Sequence, residues 1–211
     1  MPGCIVGCQY MPSIEFFAHW MHHRTMTIEA HEHFQKRTWR NRTAIVGNEG
    51  PLHLSIPLKK GKHDKMPIRE VEISYDEPWH RIHFQSIQSA YGKSPFFEEL
   101  EPELKNLFGS HPDKLWDFNV ALIDYFVQFI SSDLQLHVSD TFRHGYGSDW
   151  TDLRSGIPAG VASCEPSELP HYPQVQRIHK THLPNLSILD LLCHMGPETI
   201  TYLHMYVEKL Y

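Results

Sequence analysis

The chain has 211 residues, of which 41% are hydrophobic and 21% are charged, and its formal net charge is −6. This composition is typical of one globular domain and excludes a disordered or fibrous chain. No apolar run approaches the roughly 18–20 residues of a membrane span, and the net negative charge argues against nucleic acid as a partner. The first 13 residues show no basic stretch followed by an apolar one, so we expect no secretory signal and a cytoplasmic protein.

The four cysteines are Cys4, Cys8, Cys164 and Cys193, and none forms a CxxC pair. In an intracellular chain of this size they are expected to be reduced thiols rather than disulfides. Cys4 and Cys8 have CxxxC spacing, but no second pair follows to complete a closed zinc site. We therefore predict neither a bound metal nor a cofactor.

The first third of the chain is predicted to be rich in strands. Residues 4–10 are an apolar run typical of a buried strand, and Ser13 is a candidate cap for a following helix. Residues 25–34 alternate between apolar and polar side chains, which predicts a second strand. Its polar face would carry Thr27, Glu29, His31 and His33. Strand, helix and strand in this order indicate a β-α-β unit with parallel strands.

A hairpin and a further strand are predicted next. Residues 43–47 and 52–58, TAIVG and LHLSIPL, are separated by turn residues and are typical of two hairpin strands. Residues 69–74, REVEIS, predict another strand.

The rest of the chain is predicted to be mainly helical. One helix spans residues 79–91, a second begins at Ser94-Pro95 and ends at Gly109, and a third begins at Asp113. Residues 134–138 predict a short strand. Near the C-terminus, Ser187 and Asp190 resemble a capping box for a helix that ends at Gly196, and Pro197 opens a last helix.

Residues 142–184 are rich in Gly, Pro and Ser, and we expect a long ordered loop there. Together these elements predict an α/β fold with one domain over residues 1–211. A mixed β-sheet would open with a β-α-β unit and a hairpin, several helices would pack against it, and the C-terminal half would be helical.

Several motifs, taken in order, resemble the WbqC-like protein family. They are QYMP, EAHEHFQKRTWRNR, LSIPLKK, AYGKSPFF, DFN and LPNLSILDLLCHMGPE, and they cover most of the chain. The resemblance implies an association with surface-polysaccharide synthesis of the O-antigen type. It also implies a role in modifying or transferring a nucleotide-linked amino sugar. Lys36, Asn41 and Arg42 match the family pattern, whereas residues 29–33 depart from the Asp-rich strand end of many members.

The candidate substrate-binding residues follow two predicted strand ends. Ligands of open α/β sheets bind at the carboxyl ends of strands. An arginine grips a diphosphate with parallel hydrogen bonds, a lysine neutralises a phosphate, and an asparagine can bond a sugar hydroxyl. The chosen residues are Gln9, Tyr10, Lys36, Asn41 and Arg42. The alternative is structural: Asn41 and Arg42 would pin a loop, and residues 9–12 would form a turn.

A local basic patch of Lys36, Arg37, Arg40 and Arg42 on an acidic protein also suits a small anionic ligand. Glu32 and His33 are the candidate catalytic residues, as general bases. A metal held by Glu29, His31 and His33 is disfavoured, because alternate residues on a strand are roughly 6.6–6.8 Å apart. A His31–His33 pair would need a ligand from elsewhere.

Three functions follow. The first is a transferase acting on a nucleotide-activated amino sugar, or on its acyl or aminoacyl substituent, with a small anionic substrate. The second is a non-catalytic partner of other enzymes in a polysaccharide-assembly complex. The third is a metal hydrolase built on His31 and His33.

Overall fold

A parallel four-stranded sheet forms the centre of the fold. The computed structural model describes residues 3–61, 65–131, 134, 136–155, 157, 162–165, 168–174 and 182–211. The sheet contains strands β1 (Gly3–Gly7), β2 (Met26–Glu29), β5 (Leu136–Val138) and β6 (Trp150–Leu153), in the order β5-β2-β1-β6. Helix α1 (Ile14–His23) connects β1 to β2, which pair in parallel. This confirms the predicted β-α-β unit.

The predicted hairpin is also confirmed. Strands β3 (Arg42–Gly47) and β4 (Gly50–Ser55) pair in antiparallel register and form a separate two-stranded sheet. The remaining helices are α2 (Trp79–Tyr91), α3 (Phe97–Gly109), α4 (Leu115–Ile130), α5 (Ile188–Met195) and α6 (Thr199–Leu210). The fold is therefore mixed α/β with a helical C-terminal half, as predicted.

The main hydrophobic core lies against one face of the parallel sheet. Cys4 and Val6 on β1 and Met26 and Ile28 on β2 belong to this core and are fully buried. Helix α1 covers this face and packs in turn against α6. Burial of aliphatic and aromatic side chains on this face supplies the main stabilisation of the sheet.

The second strand is shorter than predicted. It ends at Glu29 because side chains take the next two backbone donors: the Ala30 N–H donates to Ser139 Oγ at 2.9 Å, and the His31 N–H donates to Glu29 Oε1 at 3.0 Å. His33 makes only an isolated bridge to Pro67. The prediction of one strand face carrying residues 27, 29, 31 and 33 is therefore wrong beyond Glu29.

The predicted strand at residues 69–74 is also wrong. Ile68–Glu70 is a 3-10 turn, and Glu72 and Ile73 make single bridges to different segments, so no ladder forms. The predicted capping box is only half present. Ser187 accepts a hydrogen bond from the Leu189 N–H at 3.3 Å, but the Asp190 carboxylate accepts from Tyr172 and Gln174 instead.

Strand β6 lies inside the segment predicted as a loop. Residues 156, 158–161, 166–167 and 175–181 of that segment lie outside the described residues, so its order along the whole length stays a prediction. β6 pairs in parallel with β1 and completes the sheet on the side opposite β2. The single-domain organisation likewise stays a prediction.

Candidate functional site

The second face of the parallel sheet is polar, and this is the feature that defines the candidate site. The register pairs Ile5 with both Thr27 and Asp152, and Thr27 with His137, so these four side chains share one face. Gly7 is paired with Glu29 on the same face. Parallel sheets are normally apolar on both faces because helices cover them. Apart from Ile5, which is fully buried, the side chains named here are polar or glycine, so this face is suited to binding a polar ligand. We call it the polar face.

Arg154 joins two carboxylates at the carboxyl end of this face. Its guanidinium contacts Asp152 through several hydrogen bonds and reaches Glu29 Oε2 at 3.4 Å. Glu29 is completely buried, and it also accepts a hydrogen bond from Ser139 Oγ at 2.6 Å. The hydrogen bonds from Arg154 hold the pKa of Asp152 below its ordinary value. Both carboxylates are thus fixed in position.

A second ion pair rests on Gly7 at the end of β1. Arg40 donates from Nε to Glu32 Oε1 at 2.9 Å and from Nη2 to Glu32 Oε2, and both side chains are almost fully buried. Arg40 also donates to the Arg154 carbonyl at 3.3 Å, and its own carbonyl accepts from Asn119 at 2.7 Å. Burial raises the pKa of Glu32, and the hydrogen bonds from Arg40 oppose that rise.

Glycine is required at position 7 by this packing. A Cβ there would lie 3.0 Å from Glu32 Oε1 and 3.2 Å from Arg40 Nη2. We expect Gly7→Ala to lower the free energy of unfolding by about 1–3 kcal/mol, because the buried pair must shift to admit a methyl group. Urea unfolding measures the effect. Gly145→Ala is the matched control, since a Cβ there meets nothing within 4 Å. Equal stability of the two variants would contradict this prediction.

Two clefts open at the carboxyl edge of the sheet. The Gln9 cleft, of about 320 Å³, is lined by Gly7, Gln9, Arg37, Thr38, Trp39, Arg40, Arg154 and Ser155. The His33 cleft, of about 670 Å³, is lined by Glu32, His33, Phe34, Gln35, Lys65, Phe142, Asp152, Arg154 and Ser155. They share Arg154 and Ser155 and are therefore neighbours. In the strand order, β2 lies on one side of β1 and β6 lies on the other. The chain therefore changes direction across the sheet at β1, and ligands of open α/β sheets bind at the carboxyl end of such a topological switch point.

The sequence-predicted residues are only partly brought together here. Gln9, Glu32 and His33 line the clefts. The Gln9 amide, in the orientation that satisfies both of its ends, also bonds the backbone of Ile157 at 3.3 Å. Tyr10 lies in the core, where its hydroxyl is hydrogen-bonded to His83 Nδ1 at 3.0 Å.

The other three predicted residues lie outside the cleft linings. Asn41 donates to the Ile56 carbonyl at 2.9 Å and so holds the end of β4, which is the structural alternative considered for it. Lys36 and Arg42 are exposed and line neither cleft. Tyr10, Lys36, Asn41 and Arg42 are therefore not part of the candidate site.

Sequence reasoning missed the two arginines that organise the site. Arg40 belongs to the basic patch, but Arg42 beside it was chosen as the gripping residue. The sequence signal that favours Arg40 is its separation of eight residues from Glu32, which is long enough for the intervening segment to reverse direction and bring the two side chains together. Arg154 lies in the segment predicted to be a loop, and no local pattern identifies β6 before it.

In no part of the described ranges do three or more His, Cys, Asp or Glu side chains form a group that could hold a metal ion. His31 and His33 are both exposed and lie beyond the end of β2. Among the helices described, none is long and apolar enough to cross a membrane.

The fold and the site together define an α/β protein with a ligand-type cleft at the carboxyl edge of a parallel sheet. The family model of the WbqC-like protein family matches residues 8–153, which is more than half of the chain. The chain belongs to the WbqC-like protein family. No curated protein and no solved structure matches it.

Proposed function

We propose that this protein is a cytoplasmic transferase that acts on a nucleotide-activated sugar, or on the amino, acyl or aminoacyl substituent of that sugar, in surface-polysaccharide synthesis. The single observation that supports this most is the set of cations around the two adjoining clefts. Arg37 lines the Gln9 cleft, Lys65 lines the His33 cleft, and Arg154 lines both. The family name is consistent with this pathway class.

The arrangement suits a diphosphate flanked by two uncharged groups. Arg37 and Lys65 are exposed, so their charges can reach a ligand without first leaving a buried partner. Charge-assisted hydrogen bonds to phosphate are stronger than neutral ones, and arginine can make two in parallel. The nucleoside would occupy one cleft and the sugar the other. Arg37 and Lys65 would bind the diphosphate beside Arg154, whose guanidinium is held by Asp152 and Glu29.

His33 is the proton acceptor in this proposal. It is exposed and lines the larger cleft, and the acceptor nitrogen of a neutral imidazole can take a proton. In acyl transfer the sugar amine would attack the carbonyl carbon of an acyl thioester. The C–N bond forms as the C–S bond breaks, His33 takes the proton from the amine, and the thiolate leaves. Glu32 is engaged by Arg40 at both oxygens, so we assign it the task of holding Arg40 rather than the proton.

The segment after β5 supports a role in the site more than a role as a partner-binding surface. Phe142 is one of its exposed aromatic residues, and its ring lies under the Arg154 guanidinium at 5.0 Å. The same ring lines the His33 cleft. This contact is the reason that we place the transferase ahead of the non-catalytic partner.

Calorimetric titration with a nucleotide sugar, such as uridine diphosphate N-acetylglucosamine, tests the proposal. We expect Arg37→Ala to weaken binding by about ten- to a hundredfold, since a hydrogen bond to a charged group contributes about 1.5–3 kcal/mol. Arg81→Ala, on the exposed side of α2, is the matched control and should bind like the wild type. The proposal fails if a panel of nucleotide sugars gives no binding, or if the two variants bind equally.

A further inference from the structure

A third cavity, of about 320 Å³, lies over the polar face of the sheet. Its lining includes Thr25, Thr27, His137, Thr141, Tyr146 and Trp150. We call it the Thr27 cavity. Its volume lies at the low end of the range of about 300–1,000 Å³ for small-molecule pockets. A ligand of monosaccharide size suits it better than a whole nucleotide sugar.

The floor of this cavity offers hydrogen-bonding groups. Thr27 on β2 and His137 on β5 are paired in register and lie side by side on the polar face. Thr25 and Thr27 are partly exposed and line the cavity, so their hydroxyls can bond a ligand there. Each hydroxyl can both donate and accept, and a neutral imidazole has one donor and one acceptor nitrogen. These are the groups that a ring bearing several hydroxyls requires.

The wall of the cavity is aromatic. The rings of Tyr146 and Trp150 lie 5.1 Å apart at 36°. Trp150 packs closely against β1 because position 3 is glycine: a Cβ on Gly3 would lie 3.1 Å from the indole ring. An aromatic ring offers an apolar surface to the C–H face of a sugar, while the hydroxyls of the sugar bond the polar floor. Arg143 also lines the cavity and lies 5.9 Å from the centre of the Tyr146 ring, so a simple phosphate would find a cation there but would leave the aromatic surface unused. An apolar ligand would leave the floor unsatisfied.

The cavity lies directly beside the proposed nucleotide-sugar site. The Arg154 guanidinium is 5.5 Å from the centre of the Tyr146 ring, and Arg154 lines both edge clefts. One side chain of the cavity wall is therefore in contact with one side chain of the cleft wall. A ligand in the Thr27 cavity would lie within reach of a group held at the carboxyl edge of the sheet.

We propose that the Thr27 cavity is a carbohydrate subsite that holds the sugar acceptor next to the activated donor. The acceptor role rests on the proposed function, whereas saccharide binding does not depend on it. The cavity binds one pyranose ring, with the hydroxyls of Thr25 and Thr27 and the imidazole of His137 on its polar side and Tyr146 and Trp150 on its apolar side.

Saturation-transfer NMR with free glucose, galactose and N-acetylglucosamine at millimolar concentration tests this site. We expect ring-proton signals from at least one sugar. Thr27→Val should weaken its binding by about three- to tenfold, the effect of one lost hydrogen bond, and Tyr146→Leu should remove the aromatic platform. Thr151→Val is the matched control: Thr151 pairs with Cys4, so the same substitution lies in the same sheet on the opposite face.

The outcomes separate the two proposals. Sugar binding that is retained in Thr151→Val and in Arg37→Ala but weakened in Thr27→Val supports the subsite. No ring-proton signal from any of the three sugars overturns it, as do equal signals in Thr27→Val and Thr151→Val. Nucleotide-sugar binding is measured on the same preparations. If the nucleotide sugar fails to bind while free sugars bind, the donor site and the acceptor role fail and the saccharide site stands.

Discussion

Replacing Arg40 with alanine is expected to lower the free energy of unfolding by about 3–5 kcal/mol at neutral pH, because removing one partner of a buried ion pair leaves the other charge without compensation. Glu32 would keep its place against Gly7, almost fully buried, without the two hydrogen bonds from Arg40. The Arg40 guanidinium also donates to the Arg154 carbonyl, so the clefts should lose order at their shared wall. Urea unfolding of the wild type and the variant measures the change.

The decrease in the free energy of unfolding of Arg40→Ala should be smaller at acidic pH than at neutral pH. The pKa of Glu32 is already raised in the folded protein, so this carboxyl favours the folded state below its unfolded pKa. That contribution is lost as pH rises through the folded pKa. Without Arg40 the folded pKa rises further, so protonation at mildly acidic pH removes the unpaired charge and recovers stability.

A double variant, Glu32→Leu with Arg40→Met, is the control that separates the effect of the unpaired charge from the effect of lost side-chain volume. Replacing both partners by apolar groups of similar size is often close to neutral. The double variant should therefore be more stable than Arg40→Ala alone. The explanation is contradicted if Arg40→Ala loses the same free energy of unfolding at neutral and at mildly acidic pH. It is also contradicted if the double variant is no more stable than Arg40→Ala.

Arg154→Lys is expected to weaken nucleotide-sugar binding by about ten- to a hundredfold, because a lysine keeps the charge but cannot make the set of bonds that holds the guanidinium to Asp152, Glu29 and the Arg143 carbonyl, so the cation at the shared wall of the clefts loses its position. Arg154 lines both clefts and is held in place by Asp152, by Glu29 and by the Phe142 ring. Calorimetric titration with the nucleotide sugar measures the loss, and Arg81→Lys is the matched control. Wild-type affinity in Arg154→Lys would remove this residue from the donor site.

Arg154→Ala should also destabilise the fold, but less than Arg40→Ala. Glu29 keeps its hydrogen bonds from Ser139 Oγ and from the His31 N–H, so its charge stays partly compensated, and we expect a loss of about 1–3 kcal/mol. The pKa of Asp152 is held low by Arg154. The stability that this gives is present above the unfolded pKa and is lost as pH falls through the folded pKa. The gap between wild type and variant should therefore narrow in acid.

Local sequence patterns predicted the structure correctly where residues within an element determine its bounds. The helix at residues 79–91 has the predicted bounds, and Gly196 ends α5 as expected. The hairpin was found because turn residues separate two apolar runs. These features depend on hydrophobic periodicity and on single residues that end a helix or form a turn, both of which are visible in the sequence.

Patterns failed where a distant partner supplied the deciding bond. The alternation at residues 25–34 predicts a strand, but Ser139 takes the Ala30 N–H and ends it. Asp190 has the position of a capping carboxylate, but Tyr172 and Gln174 bind it instead. In each case the competing group lies far along the chain or in an irregular segment, so no local spacing reveals it.

The polar segment at residues 29–42 shows which features of the site are determined by local sequence and which by tertiary structure. By itself the sequence determined that a β-α-β unit opens the fold, that charged and polar residues follow its second strand, and which family the chain resembles. Only the tertiary structure decided that Arg40 is paired with Glu32 over Gly7, that Arg154, directly after the distant strand β6, completes the cleft, and that Tyr10 is a core residue. The physical reason is that an ion pair or a sheet register joins residues by their distance in space, and pairing of β6 with β1 brings together groups about 150 residues apart in the chain.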